Sequence, residues 1–163
     1  MAESFYRQSG SKQAQYQSLL PQIQALISDE RDFVANMANV CAVLKQQFDW
    51  LWIGFYVVRG EELVLAPFQG PIACTRIAKG RGVCGSAWAQ QQTIVVPDVN
   101  QFAGHIACSS LSQSEIVVPM VLDERCVGVL DIDSAELATF DDTDAAFLQQ
   151  VVAALLAASD VSA

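Results

Sequence analysis

Between residues 115 and 133 the chain runs through two nearly continuous apolar stretches, Glu115–Leu122 and Cys126–Asp133, joined at Asp123-Glu124. Short apolar runs broken by a polar turn pair read as a β-hairpin, and strands this apolar need cover on both faces. The acids at the open end of this hairpin are harder to place. One strand begins Ser114-Glu115 and the other ends Asp131-Ile132-Asp133. A three-residue connection sets Glu115 opposite Asp133, whereas a two-residue one shifts the pairing by one position. Asp131 and Asp133 share a face because side chains alternate along a strand. Like charges directly opposed in a sheet repel, so three carboxylates at one end of a buried hairpin need a physical reason. Either the strands end there and the acids reach water, or the acids line a pocket that receives a cation such as a ligand ammonium. In such a pocket a carboxyl kept protonated by crowding could also donate to a developing oxyanion.

The rest of the chain supplies the cover. Gln13–Ile27 carries Leu19, Leu20, Ile23, Leu26 and Ile27 at helical spacing, and a second helix over Phe33–Phe48 follows the Ser28-Asp29-Glu30 punctuation. The period then changes. Trp50–Val58 is aromatic and β-branched, and Arg59-Gly60-Glu61 turns it into Leu63-Val64-Leu65. Trp50, Trp52 and Tyr56 are expected on one strand face, as ordinary core or as an aromatic wall for a small apolar group. Pro67–Gly85 reads as loop with one short strand, Ser86–Gln91 as a short helix and Thr93–Val96 as a strand. A long polar loop covers 97–114, and loops of that length are often functional. Asp141 or Asp142 caps a last helix, Thr143–Ala158. The expected fold is α+β: one domain over residues 1–163, its first 30 residues a helical segment, with helices packed on one face of an antiparallel sheet.

Composition excludes several functions. Apolar residues make up 52 % and charged ones 17 %, which fits a folded domain with a sizeable core. The net charge is −9, and the nine Lys and Arg are scattered, so neither nucleic acid nor an anionic membrane finds a basic patch. The opening MAESFYRQSGSKQAQY has neither an apolar core nor a small-residue cleavage site, so no signal peptide and a cytoplasmic location are expected. No CxxC or HxxxH spacing suggests zinc, and no cofactor is expected.

Five cysteines remain, an odd number that argues against a structural disulfide framework. Cys41 lies in the apolar pattern of the second helix and Cys126 in an apolar strand, so both read as core. Cys74, Cys84 and Cys108 lie in loops. Cys84 precedes the expected helix start with Arg81 close by, both of which favour a thiolate. Cys108 has His105, the single histidine, three residues away. Redox or nucleophilic thiol chemistry is therefore one reading of these three residues, and inert packing is the other.

Six ordered segments tip that balance: WIGFY (52–56), PFQGPIAC (67–74), GRGVCGSAW (80–88), GHIAC (104–108), SEIVVP (114–119) and GVLDIDS (128–134). Together they resemble the free methionine-(R)-sulfoxide reductases, which are stand-alone GAF domains. The resemblance implies a GAF-like antiparallel sheet whose loops enclose a cavity for one free amino acid. It implies that Cys108 attacks the sulfoxide sulfur, and that Glu115, Asp131 and Asp133 bind the ammonium and polarise the sulfoxide oxygen. Trp52 and Tyr56 would line the methyl side. Glu115 or Asp133 would protonate the departing oxygen, and Cys84 or Cys74 would resolve the Cys108 sulfenic acid as a disulfide. Thioredoxin or a similar dithiol would then reduce that disulfide. The resemblance also suggests a homodimer. One departure is Ser109, where the family often has Asp; losing that neighbouring charge eases thiolate formation at Cys108.

The competing reading is a GAF sensor that binds a cyclic nucleotide or another small ligand without chemistry. Against it, the Asn-Lys-Phe-Asp-Glu set of cyclic-nucleotide GAF domains is missing, and three loop cysteines would have no use there.

Overall fold

The computed structural model describes residues 4–106 and 108–161; the termini of the expected 1–163 domain and Ala107 of the GHIAC segment lie outside the described residues. Two helices come first, α1 (Lys12–Ile27) and α2 (Phe33–Phe48). The Ser11 hydroxyl caps α1, and the Asp32 carboxylate accepts from the Ala35 amide to cap α2. Strands β1 (Trp52–Arg59), β2 (Glu62–Gln69) and β3 (Arg76–Ala78) precede α3 (Gly82–Gln90). Then come β4 (Ile94–Val96), a single 3-10 turn at Val99–Gln101, β5 (Ser114–Leu122), β6 (Arg125–Ser134) and α4 (Asp142–Ala158). The side chain of Asp141 accepts from the first-turn amides of α4 and completes a capping box with Asp144.

The six strands form one sheet in the order β3-β2-β1-β6-β5-β4, and every neighbouring pair is antiparallel. This is the expected GAF-like α+β arrangement. Side-chain alternation in β1 sorts the sheet into two faces. Ile53, Phe55 and Val57 point into a core shared with α1, α2 and α4, whereas Trp52 and Tyr56 point to the side covered by α3 and the loops. The apolar hairpin lies near the middle of the sheet, so Ile116, Val118, Leu130 and Ile132 meet the helices while Val117 and Val129 meet α3.

The register of the hairpin depends on two compensating features. Its turn has two residues, Asp123 and Glu124, both at positive φ (51° and 64°), which matches the handed twist of a tight hairpin. A two-residue turn alone would offset the acids. A bulge beyond Met120 and Gly128 inserts one residue and restores the pairing Glu115↔Asp133.

Three expectations need correction. Trp50 is not on the Trp52 face. It precedes β1, just after Asp49 ends α2 in the left-handed region (φ 54°), so strand alternation does not extend to it. Its ring stacks on Phe48 at 4.2 Å in the helix-covered core. Pro67 is not loop, because β2 continues through it to Gln69. Finally, α3 starts at Gly82 rather than Ser86, so Cys84 lies inside the helix and not before it. The three glycines at 80, 82 and 85 mimic a loop, but Gly85 is there for packing: a Cβ would sit 2.5 Å from the Ala78 carbonyl oxygen.

Candidate active site

On the loop-covered face, β5, β6 and β1 bring their polar ends into line. Glu115 pairs with Asp133, and Asp133 with Trp52; two residues further in, Val117 pairs with Asp131, and Asp131 with Gly54. Gly54 is needed there. A Cβ would lie 2.4 Å from both the Trp52 ring and the Phe68 Cβ, so glycine lets Trp52 lie flat across the strand. Trp52 stacks between Phe68 (5.3 Å) and Tyr56 (5.9 Å). The polar tips of both aromatics hold the next loop. Trp52 Nε1 donates to the Pro71 carbonyl at 3.1 Å, and the Tyr56 hydroxyl donates to the Cys74 carbonyl at 2.9 Å.

That loop carries Cys74, whose sulfur is bonded to Cys108 from the long loop before β5; their Cα atoms are 5.6 Å apart. Cys108 is exposed and Cys74 half-buried, so the disulfide lies at the surface. Beneath it opens a cavity of about 600 Å³, its mouth included. Trp52, Tyr56, Cys84, Cys108, Glu115, Asp131 and Asp133 all line this cavity, and Cys74 joins it through the disulfide. Ile77, Val83 and Ile106 complete the apolar wall, and Ser109 and Ser112 stand beside Cys108. The sequence reading missed Ser112, whose hydroxyl donates to Asp133 Oδ1 at 2.8 Å. Only the length of its loop hinted at it.

The three carboxyls are largely shielded from water. Glu115 and Asp131 are 5 % and 6 % exposed, and Asp133 is half-buried. Burial pushes Glu115 well above the usual carboxylate range, and the charges of Asp131 and Asp133 push it further. Asp133 is also raised well above that range by burial and then by Asp131, with the Ser112 hydroxyl acting in the opposite direction. Burial raises Asp131 as well, offset in part by Glu115 and Cys84 as proton donors beside it. Asp131 Oδ1 is buried with no hydrogen-bond partner, an arrangement that is costly unless a ligand supplies one.

One expectation about activation changes. Cys84 is not poised as a thiolate: burial, then the charges of Asp131, Glu115 and Asp133, hold its thiol well above the ordinary value. His105 turns its Nε2 toward Glu115 Oε2 at 3.7 Å, and burial lowers its pKa. Cys41 and Cys126 are buried as expected, with the Cys41 thiol pushed up to about 12 by burial.

An arrangement of this kind can hold a small cation at the carboxyls, shelter an apolar group against Trp52, and present one cysteine at the open end. The comparisons agree on what such a chain resembles. The profile of the GAF domain family matches residues 28–158. GAF domain-containing protein A of Dictyostelium discoideum is 58 % identical, over 93 % of this chain and 97 % of its own length. The free methionine-R-sulfoxide reductase of Escherichia coli (strain K12) is 48 % identical, over 86 % of this chain and 86 % of its own. Among solved structures, the X-ray structure of free methionine-R-sulfoxide reductase from Neisseria meningitidis in complex with its substrate superposes with a TM-score of 0.95. It is 55 % identical, covering 96 % of this chain and 95 % of that one. Among the described residues, no helix is long and apolar enough to cross a membrane.

Proposed function

Because the chain belongs to the free methionine-R-sulfoxide reductases of the GAF domain family, we propose that it reduces free L-methionine (R)-S-oxide to methionine with Cys108 as the nucleophile. The observation that carries this reading is a cysteine pair at the open end of a cavity whose other end holds three carboxyls, two of them buried and one half-buried.

The carboxyls divide the work by environment. Asp131 is the least raised of the three and leaves Oδ1 without a partner, so it takes the substrate ammonium as the anion. Glu115 and Asp133 are held well above the usual carboxylate range, which favours the acid form from which one of them gives its proton to the sulfoxide oxygen. Trp52 and Tyr56 receive the methyl and thioether end. The Cys108 thiolate attacks the sulfoxide sulfur; oxygen and one proton pass to the cysteine, and methionine leaves with Cys108 as a sulfenic acid. The Cys74 thiol then attacks that sulfenic sulfur, releasing water and forming the Cys74–Cys108 disulfide, the pairing present in this structure. Cys84 is therefore set aside as the resolving thiol. Thioredoxin or a similar dithiol takes up the disulfide by exchange and leaves oxidised. The sum is one sulfoxide and one dithiol converted to methionine, a disulfide and water.

We extend the reading to residues 1–163 as one unit acting in the cytoplasm, where dithiol reductants are maintained, and assembling as a homodimer, which gel filtration tests. The activity itself is tested by incubating the purified protein with dithiothreitol and each diastereomer of free methionine sulfoxide. Consumption of the R form alone is expected. Equal consumption of both forms, or of neither, overturns the proposal.

A further inference from the structure

One pocket thiol has no task in the reaction above. Cys84 is buried in the first turn of α3, is outside the disulfide and lines the same cavity as the carboxyls. Its sulfur and one oxygen each from Glu115 and Asp131 lie within 4.8 Å of one another. Three donors from α3, β5 and β6 thus converge on one point, each of them buried. Asp131 Oδ1, on a residue 94 % buried, faces this cavity without any partner. A fourth donor is near, since His105 Nε2 is 3.7 Å from Glu115 Oε2 and imidazole nitrogen is a common zinc ligand.

We propose that Cys84, Glu115 and Asp131 form a site for a thiophilic divalent cation, zinc being the commonest of that class, which occupies the ammonium position and excludes the substrate. An ammonium alone would be served by the carboxyls. A thiol among them adds a soft donor, and one sulfur with two carboxylate oxygens and room for an imidazole or water matches the borderline character of zinc. Binding replaces the Cys84 proton with the metal and releases that proton, along with any held by the carboxyls, to solvent. Two positive charges also offset the mutual repulsion of the acids better than one. The proposal rests on the pocket described under the proposed function and adds a metal that competes for it. It makes the enzyme sensitive to free zinc.

The disulfide form of the protein gives a clean test, because Cys74 and Cys108 are tied up and Cys84 is the one pocket thiol left. Cadmium ion, titrated into the oxidised protein without reductant, reports thiolate binding by its sulfur-to-metal charge-transfer absorbance. One equivalent per chain is expected for the wild type and none for Cys84→Ala. Asp131→Asn should weaken binding by at least about tenfold. Zinc added to the cadmium complex should bleach the band by displacement. No band in the wild type overturns the proposal, as does a band of equal size in Cys84→Ala. Cys84→Ala could also lose the band by unfolding, so its fold is checked by circular dichroism, and Asp131→Asn supplies a second variant. This measurement involves no turnover. A missing band with intact sulfoxide reduction therefore removes the metal site alone, and a band without sulfoxide reduction removes the reductase reading alone.

Discussion

The two faces of the sheet each bury a carboxylate, and they treat it in opposite ways. On the helix-covered face, Asp144 is fully buried but fully partnered. The Tyr16 hydroxyl donates to Oδ1 at 2.5 Å, while Lys12 Nζ (2.6 Å) and the Asp141 amide (2.9 Å) reach Oδ2. On the loop-covered face, Asp131 keeps an oxygen without a partner and has two more acids for neighbours. One carboxylate ties α1 to the start of α4. The other is held unsatisfied beside a cavity, as a binding site requires before its ligand arrives. Stability and function are thus segregated between the two faces of the sheet.

Cysteines test this segregation most severely. Cys108→Ser is expected to abolish even a single turnover of methionine release, with the melting temperature of the reduced protein unchanged. Cys41→Ala, on the helix side, should keep turnover and cost about 1 kcal/mol of stability. Stoichiometric release of methionine by Cys108→Ser would break the assignment.

Substrate truncation comes next in size. N-acetyl methionine sulfoxide has no ammonium, and its binding would strand buried carboxyls, so kcat/KM should fall on the order of a thousandfold. Comparable rates for the free and acetylated forms would mean that the acids do not clasp an ammonium.

Matched substitutions of the two kinds of acid sharpen the contrast. Asp133→Asn removes a titratable acid from the crowded pocket. Stability should hold or rise by about 1 kcal/mol, while kcat/KM drops by on the order of a hundredfold. Asp144→Asn should do the reverse, costing about 2 kcal/mol because Lys12 and Tyr16 lose their shared partner, with kcat/KM kept. Melts and steady-state assays on both variants decide between them, and effects of the same sign would refute the comparison.

The smallest effect is on pH dependence. Glu115, Asp131 and Asp133 all have raised values in the fold. Above the ordinary carboxylate pKa of about 4, the folded protein therefore retains protons that the unfolded chain has lost. Stability then falls as pH climbs from the ordinary value through the raised ones. Asp133→Asn should flatten this slope in melts of the ligand-free protein taken between about pH 4 and pH 8.

Much of this arrangement was legible in the sequence, for a local reason. Period-two alternation placed Asp131 and Asp133 on one face, and helical spacing found α1, α2 and α4 within a residue or two of their ends. The register that opposes Glu115 to Asp133 was visible only as one of two options, because the bulge beyond Met120 leaves no mark in the sequence. Trp50 was misplaced because alternation was extended past the point where the backbone stops being a strand. Cys84 was misread for the opposite reason: Gly85, required for close packing against β3, looks like a loop glycine beside Gly80 and Gly82. The choice of Cys74 as the partner of Cys108 lay beyond local pattern, since the pair is 34 residues apart and meets through the loop that Trp52 and Tyr56 hold. The donors around Cys84 show the same limit, coming from three elements and matching no motif spacing.

The Cys74–Cys108 link also changes what kind of object the polypeptide is. Reduced, it is an open thread; oxidised, it is a lasso whose loop encloses β3, α3 and β4. Closing a loop of that length removes unfolded conformations worth about 3–4 kcal/mol on chain-entropy reasoning. In the proposed cycle each turnover therefore tightens and loosens the same fifth of the chain. On that proposed cycle, a shortage of reductant leaves the oxidised molecules as the form more resistant to proteolysis.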